Sequence, residues 1–344
     1  MQGKMKKVML TGAKQFAIQE VDIPQIQAPD EVLVKVKAVG ICGSDLEAWR
    51  GHHPHVTFPV VPGHEFVGEV VEVGAAVTGI KAGDRVVKEP IEYCGHCYAC
   101  THGRPNVCKD LKVYGFALDG GHLEYFVSKA DKVFKFPAAI DWKYAAMLEP
   151  YTIAAQVNER TGILTGDVVL VHGLGPAGIA IADWAKVNGA TVIATDMVPK
   201  RLEMGALFGL DYVFDASKID VKKKALEITG GEGPNVIVDT TGVPALTQEA
   251  LELVSPAGRI AAIAFNFNPT PLVTGLINAK EISYVGSRLQ TYQFQKVIDN
   301  LDKYIENIKK MVTHVFPYTE INKAFELAAS RDPEVCKVVV TYDE

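Results

Sequence analysis

The sequence predicts an α/β protein of two domains, one β-rich and one built on a parallel sheet with helices on both faces. Three observations lead there. The chain has 344 residues, and at about 100–200 residues per domain that length suggests about two. The first third carries short alternating runs between Gly and Pro turns. Beyond about residue 150, continuous apolar strands alternate with helical segments, the pattern of a parallel sheet buried on both sides.

The elements follow in order. Val32, Val34, Val36 and Ala38 alternate with Leu33, Lys35 and Lys37, the period of a strand. Residues 67–73 and 85–88 read the same way, and Gly-Asp turns precede Arg85 and Val168. Residues 168–171 form a continuous apolar strand, and 179–187 have helical spacing that stops at Gly189. A second buried strand spans 191–195, a helix 201–208 and a short strand 212–214. A further helix ends at 225–228, and strands at 236–239 and 259–264 continue the alternation. After Arg288 one amphipathic helix is expected, with Phe294, Val297, Ile298, Leu301, Ile305 and Ile308 on a single face. A strand at 337–341 closes the pattern.

Charge and hydropathy exclude several classes. Lys and Arg number 35 against 41 Asp and Glu, a net charge of −6. No strongly basic face follows from that balance, which argues against nucleic acid or an anionic membrane as partner. Near the start only Val8, Met9 and Leu10 form an apolar run, against about 7–15 residues for a signal peptide and about 20 for a membrane span. The run around residues 260–265 is also too short to span. A cytoplasmic protein is expected.

Three constellations carry chemistry. Gly173-Leu174-Gly175-Pro176-Ala177-Gly178 follows an apolar strand and opens a helix, and Asp196 ends the next strand. An acid about 20 residues beyond such a turn completes the dinucleotide fingerprint. The glycines let the backbone approach a pyrophosphate, and the helix N-terminus supplies N–H donors. Asp196 accepts from both ribose hydroxyls and would repel a 2′-phosphate, so NAD is favoured over NADP. Arg201 joins the cofactor candidates, with a solvated helix charge as its alternative.

Cys94-x2-Cys97-x2-Cys100-x7-Cys108 offers four thiolates within reach of one ion, the donor set of a structural zinc. A redox dithiol or unliganded cysteines are the alternatives. Cys42, His64 and Glu65 add soft sulfur, imidazole and carboxylate, the mixed set zinc uses when one position stays open for catalysis. Adjacent residues of an extended chain point apart, so geometry alone leaves His64 and Glu65 divided between ligand and outer support. Ser44-x-x-Glu47 reads as a capping box, which makes Ser44 a helix cap or a hydroxyl that passes a proton beside the metal. Cys336 lies outside both clusters and reads as packing.

Taken together, these motifs resemble the zinc-containing medium-chain dehydrogenases over essentially the whole chain. Gly63-His64-Glu65-x2-Gly68-x5-Gly74 matches that family's zinc signature, and Gly40-Ile41-Cys42-Gly43-Ser44-Asp45 its first-ligand motif. Met147-Leu148-Glu149-Pro150 matches the sorbitol-dehydrogenase-like branch, where liver-type enzymes carry a ligand cysteine nearby. Gly286-Ser287-Arg288 falls where sorbitol dehydrogenases place a substrate-binding Arg. The resemblance runs closest to bacterial hexonate (galactonate or gulonate) 5-dehydrogenases.

It implies a GroES-like catalytic domain split over 1–152 and 289–344 around a Rossmann nucleotide-binding domain at 153–288. It implies one catalytic and one structural zinc, NAD, and a homodimer or homotetramer. The catalytic ion would take Cys42, His64 and Glu65, with Glu149 as a further ligand or the holder of a metal-associated water. Ser44 would relay a proton, Arg288 would grip substrate, and Asp239, Thr240 and Thr241 would lie near the nicotinamide ribose. The implied reaction is hydride transfer from a secondary hydroxyl of a sugar acid or polyol to NAD. The alternatives are an L-threonine or sugar-alcohol-phosphate dehydrogenase of the same family, or a regulatory protein reusing the fold without catalysis. The cofactor expectation is directly measurable: kcat/KM should be higher with NAD than with NADP, and Asp196→Ala should narrow the gap.

Overall fold

The alternation at residues 32–38 becomes the strand Glu31–Gly40, and the first half of the molecule is assembled on it. The computed structural model describes residues 2–270, 272–330 and 332–342. They fall into two compact units, Met1–Glu149 with Met311–Glu344 and Pro150–Lys310.

In the first unit, Glu31–Gly40 pairs antiparallel with Glu65–Val73, Tyr125–Lys129 and Lys337–Thr341. Arg85–Lys88, Val133–Lys135 and Val312–Pro317 extend the same sheet. Val32, Val34 and Val36 are buried as their spacing requires, and Leu33 on the opposite face is buried too, packed with Met5 and Ile23. Met5 belongs to a hairpin, Lys4–Gly12 with Gln15–Asp22, that the sequence reading did not anticipate.

The second unit holds a six-stranded parallel sheet ordered Tyr212–Asp215, Thr191–Asp196, Val168–His172, Val236–Asp239, Arg259–Ala262, Ser283–Gly286. This is the doubly wound order, which reverses between Val168–His172 and Val236–Asp239 and opens a ligand crevice at their carboxyl ends. Leu170, Ile193 and Ile237 are fully buried, as continuous apolar strands covered on both faces must be. The helix Pro176–Val187 starts on Pro and stops before Gly189, whose φ of 82° breaks it.

One expected element differs. The single amphipathic helix after Arg288 is broken into Phe294–Asp299, a 3₁₀ turn Leu301–Lys303, and Ile305–Met311. At the break Asn300 donates from Nδ2 to the Lys296 carbonyl (2.9 Å), a side-chain bond that competes with the helical ladder. The apolar face survives the break, with Phe294, Val297, Leu301 and Ile308 buried. Tyr304 stacks on Tyr151 with ring centroids 4.4 Å apart and meets Trp184 edge-on. By these contacts residues 289–310 lie with the second unit, and the chain returns to the first at Met311.

Beneath Tyr304 lies Asp183, which accepts from Tyr151 Oη (2.6 Å) and Asn307 Nδ2 (2.7 Å). Burial pushes its carboxyl up to about 6, against the pull of those two donors. A carboxyl raised in the folded state binds its proton more tightly there, so stability is greatest at low pH and falls as pH rises between about 4 and about 6. A side-chain amide at this position cannot titrate. Asp183→Asn should therefore flatten the urea-midpoint profile across that window, recovering on the order of 1–3 kcal/mol at pH 7 relative to pH 4.

Candidate metal and nucleotide sites

Where Glu31–Gly40 ends, the chain turns into the short helix Gly43–Trp49, whose N-cap is Cys42. The Cys42 N–H donates to Asp45 Oδ2 (2.9 Å) and closes the first turn. Ser44, the cap expected from sequence, sits inside that turn instead, because the reciprocal partners are Cys42 and Asp45. Asp45 Oδ1 accepts from the Gly63 N–H (3.3 Å) and from His64 Nδ1 (3.2 Å). Burial alone would raise the Asp45 carboxyl, but His64 and the Cys42 N–H hold it below its ordinary value. An ionised carboxylate only accepts, so His64 carries a proton on Nδ1, and Nε2 is the ring atom that would meet a metal.

Cys42, His64 and Glu65 offer ligand atoms that all lie within 4.8 Å of one another, a spread one ion can bridge. The strand begins at Glu65, so His64 precedes it and the alternation that would point the two apart does not apply. Glu65 Oε2 is buried with no hydrogen-bond partner, and an orphaned carboxylate oxygen beside thiol and imidazole suits a cation. Glu65 Oε1 is taken by Lys337 Nζ at 2.5 Å, both side chains being buried. Glu149 is buried nearby but outside the three-residue group. Burial first, then the Glu65 charge, pushes its carboxyl up to about 7 although His64 and Lys337 pull it down.

The four-cysteine lobe is assembled as its spacing implied. Sγ separations are 3.5 Å (Cys94–Cys108), 3.6 Å (Cys97–Cys100), 3.8 Å (Cys97–Cys108) and 4.0 Å (Cys94–Cys100). Thiolates about 2.3 Å from a tetrahedral ion lie about 3.8 Å apart, so the cage fits one zinc. Backbone N–H groups of Cys97 and Asp110 donate to the Cys94 and Cys108 sulfurs, which fixes those two side chains in place.

In the second unit, Gly173 and Gly175 lie in the turn between Val168–His172 and its helix, and Pro176 and Gly178 in the helix's first turn. Gly173 has φ 89°, and a Cβ there would strike Thr240 Oγ1; a Cβ on Gly178 would strike the Gly173 carbonyl. Around Gly175 nothing lies within 4 Å of that position, so the turn is open on one side. The helix N-terminus has no side-chain cap, which suits an anion. Asp196 accepts from the backbone N–H groups of Leu174, Met197 and Val198, and Arg201 Nη1 reaches it at 3.4 Å. Thr240 Oγ1 donates to the His172 carbonyl (2.8 Å), bracing the turn, while Asp239 Oδ1 accepts from Thr241 and Gly242. Arg288 is half-buried, its guanidinium 5.7 Å from the Phe265 ring centroid. Asp45 and Lys337 were missed in sequence as functional residues; the Cys42-x-x-Asp45 spacing was the only local signal for the first, and none existed for the second.

Comparison with known proteins agrees with this arrangement. Two family models match, the alcohol dehydrogenase GroES-like domain over residues 28–138 and the zinc-binding dehydrogenase over residues 176–303. The starvation-sensing protein RspB of Escherichia coli (strain K12) is 39% identical over 342 residues, covering 99% of this chain and 100% of that protein. Sorbitol dehydrogenase of Halalkalibacterium halodurans is 35% identical over 351 residues, 98% of this chain and 99% of that one. The crystal structure of RspB from E. coli CFT073, complexed with the cofactor NADH, matches with a TM-score of 0.92 at 38% identity, covering 98% of this chain and 99% of that one. No helix among the described residues is long and apolar enough to cross a membrane.

The buried Asp45–His64 contact yields a measurable expectation. Asp45→Asn keeps the shape but no longer fixes the imidazole proton, so metal affinity at Cys42, His64 and Glu65 should fall by about 10- to 100-fold. Chelator competition reads this, and an unchanged affinity would mean that Asp45 does not orient His64.

Proposed function

Because the chain belongs to the zinc-type medium-chain alcohol and polyol dehydrogenase family, we propose that it oxidises a secondary hydroxyl of a hexonate or polyol with zinc and NAD. The observation that carries this reading is the gathering of Cys42, His64 and Glu65 within 4.8 Å. Three mixed protein donors with room for a fourth suit a catalytic zinc rather than a closed structural one. When bound, the ion supplies a Lewis acid for the substrate oxygen and the nicotinamide an acceptor for hydride.

The chain's own residues do the rest. Asp45 holds the imidazole in place and keeps Nε2 free. Ser44, half-buried in the first helical turn beside Cys42, carries the substrate proton outward. Glu149, outside the three-donor group, acts through water rather than as a permanent ligand. A second carboxylate directly on the ion would cancel positive charge that the substrate oxygen needs. The Gly173–Gly178 turn takes the pyrophosphate and Asp196 the ribose, with Arg201 steadying Asp196. Thr240 supports that turn from behind. The NADH complex of RspB supports the cofactor assignment. Cys94, Cys97, Cys100 and Cys108 hold the second, structural zinc.

Arg288 supports the sugar-acid reading, since a guanidinium grips a carboxylate bidentately or several hydroxyls at once. Ethanol offers neither. NAD reduction across a panel of hexonates, polyols, threonine and ethanol tests this, with a hexonate or polyol expected best and ethanol poor. Arg288→Ala should then lower kcat/KM on the best substrate by about 30- to 150-fold, about 2–3 kcal/mol. Zinc content and NAD affinity should not change. A variant with wild-type kcat/KM would remove Arg288 from the substrate site.

A further inference from the structure

The buried ion pair between Lys337 and Glu65 joins residues far apart in sequence at one point of the sheet. Register explains how. Val339 pairs with Gly40 and the Ile41 N–H donates to the Val338 carbonyl, so Lys337 comes opposite Cys42. On the other side of the same strand, Gly40 pairs with Glu65. The Glu65 carboxylate lies over Gly40, where any Cβ would collide with Oε2. Glycine thus opens the space in which the carboxylate reaches across the strand to the ammonium.

The charge balance gives this pair a consequence. Cys42, Asp45, Glu65 and Glu149 place up to four anionic groups around one candidate dication. Thiolate and carboxylate ligands alone would neutralise it and weaken its pull on a substrate oxygen. Lys337 Nζ engages Glu65 Oε1 and leaves Oε2 as the carboxylate oxygen without a hydrogen-bond partner. We infer that Lys337 is a positioning residue for the catalytic metal, confining Glu65 to one-oxygen ligation and offsetting its charge so that the ion stays electrophilic. The inference rests on the zinc reading above.

Lys337→Gln, which keeps a donor but removes the charge, tests it. Zinc affinity is measured by chelator competition after mild chelation has removed only the exchangeable ion, with the four-cysteine lobe left loaded. Removal of a neighbouring positive charge should tighten zinc binding by about tenfold or more, while kcat falls more than KM changes. Cobalt substituted at the same site should keep intense four-coordinate absorption in Lys337→Gln and Lys337→Arg, which retain a donor to Oε1, and change to weaker five-coordinate absorption in Lys337→Met, which has none. Unchanged or weaker zinc binding in Lys337→Gln overturns the inference. A second measurement leaves Lys337 in place: five-coordinate cobalt absorption that persists in Glu149→Gln would mean that both Glu65 oxygens ligate, and overturns it equally. Wild-type protein with no exchangeable zinc would instead overturn the zinc reading itself.

Discussion

The carboxylate of Asp45 is the constraint on which the first unit's site depends. It is fully buried, and it binds three donors from two stretches of chain: the Cys42 N–H, the Gly63 N–H and the His64 ring. A buried carboxylate is costly unless its lone pairs are met. Meeting them forces the end of one strand, the start of a helix and the turn before Glu65 to converge. Cys42 and His64 are neighbours because the backbone of one and the ring of the other meet this one acceptor, and Glu65 follows His64 directly in the chain.

The second unit uses the same device on a different chemistry. Asp196 draws in the N–H groups of Leu174, Met197 and Val198. That ties the Gly-rich turn to the end of the adjacent strand and fixes the spacing between the two proposed cofactor contacts. In each unit an acid that touches backbone donors sets the geometry before any ligand arrives, which limits the reorganisation that binding must cost.

What was legible in sequence was local. The Cys94–Cys108 spacing and the Gly173–Gly178 turn each lie within one short stretch, so chain geometry alone brings their groups together. The alternating strands were legible because burial on one or both faces leaves a period in the residues. Lys337 was not legible, since its partner Glu65 is reached only through the pairing of three strands. Ser44 reads as a cap because its spacing to Glu47 fits a capping box as well as Cys42 to Asp45 does, and cysteine is an uncommon cap. The helix after Arg288 kept its apolar period across a break, because burial selects the face while Asn300 Nδ2 and Tyr304 Oη take the Lys296 and Val297 carbonyls. Hydropathy carries no trace of such an interruption.

The pairing of Lys337 with Glu65 also orders events during synthesis. Cys42, His64 and Glu65 leave the ribosome early, and every residue of the second unit follows before Lys337 does. Through that interval the sheet lacks the strands Val312–Pro317 and Lys337–Thr341, and Glu65 has no counter-ion from this source. Domains of a growing chain fold as units, the earlier one first. Here the earlier unit waits for the later one, so the second unit is free to fold while the first still holds an open sheet edge and an unbalanced carboxylate.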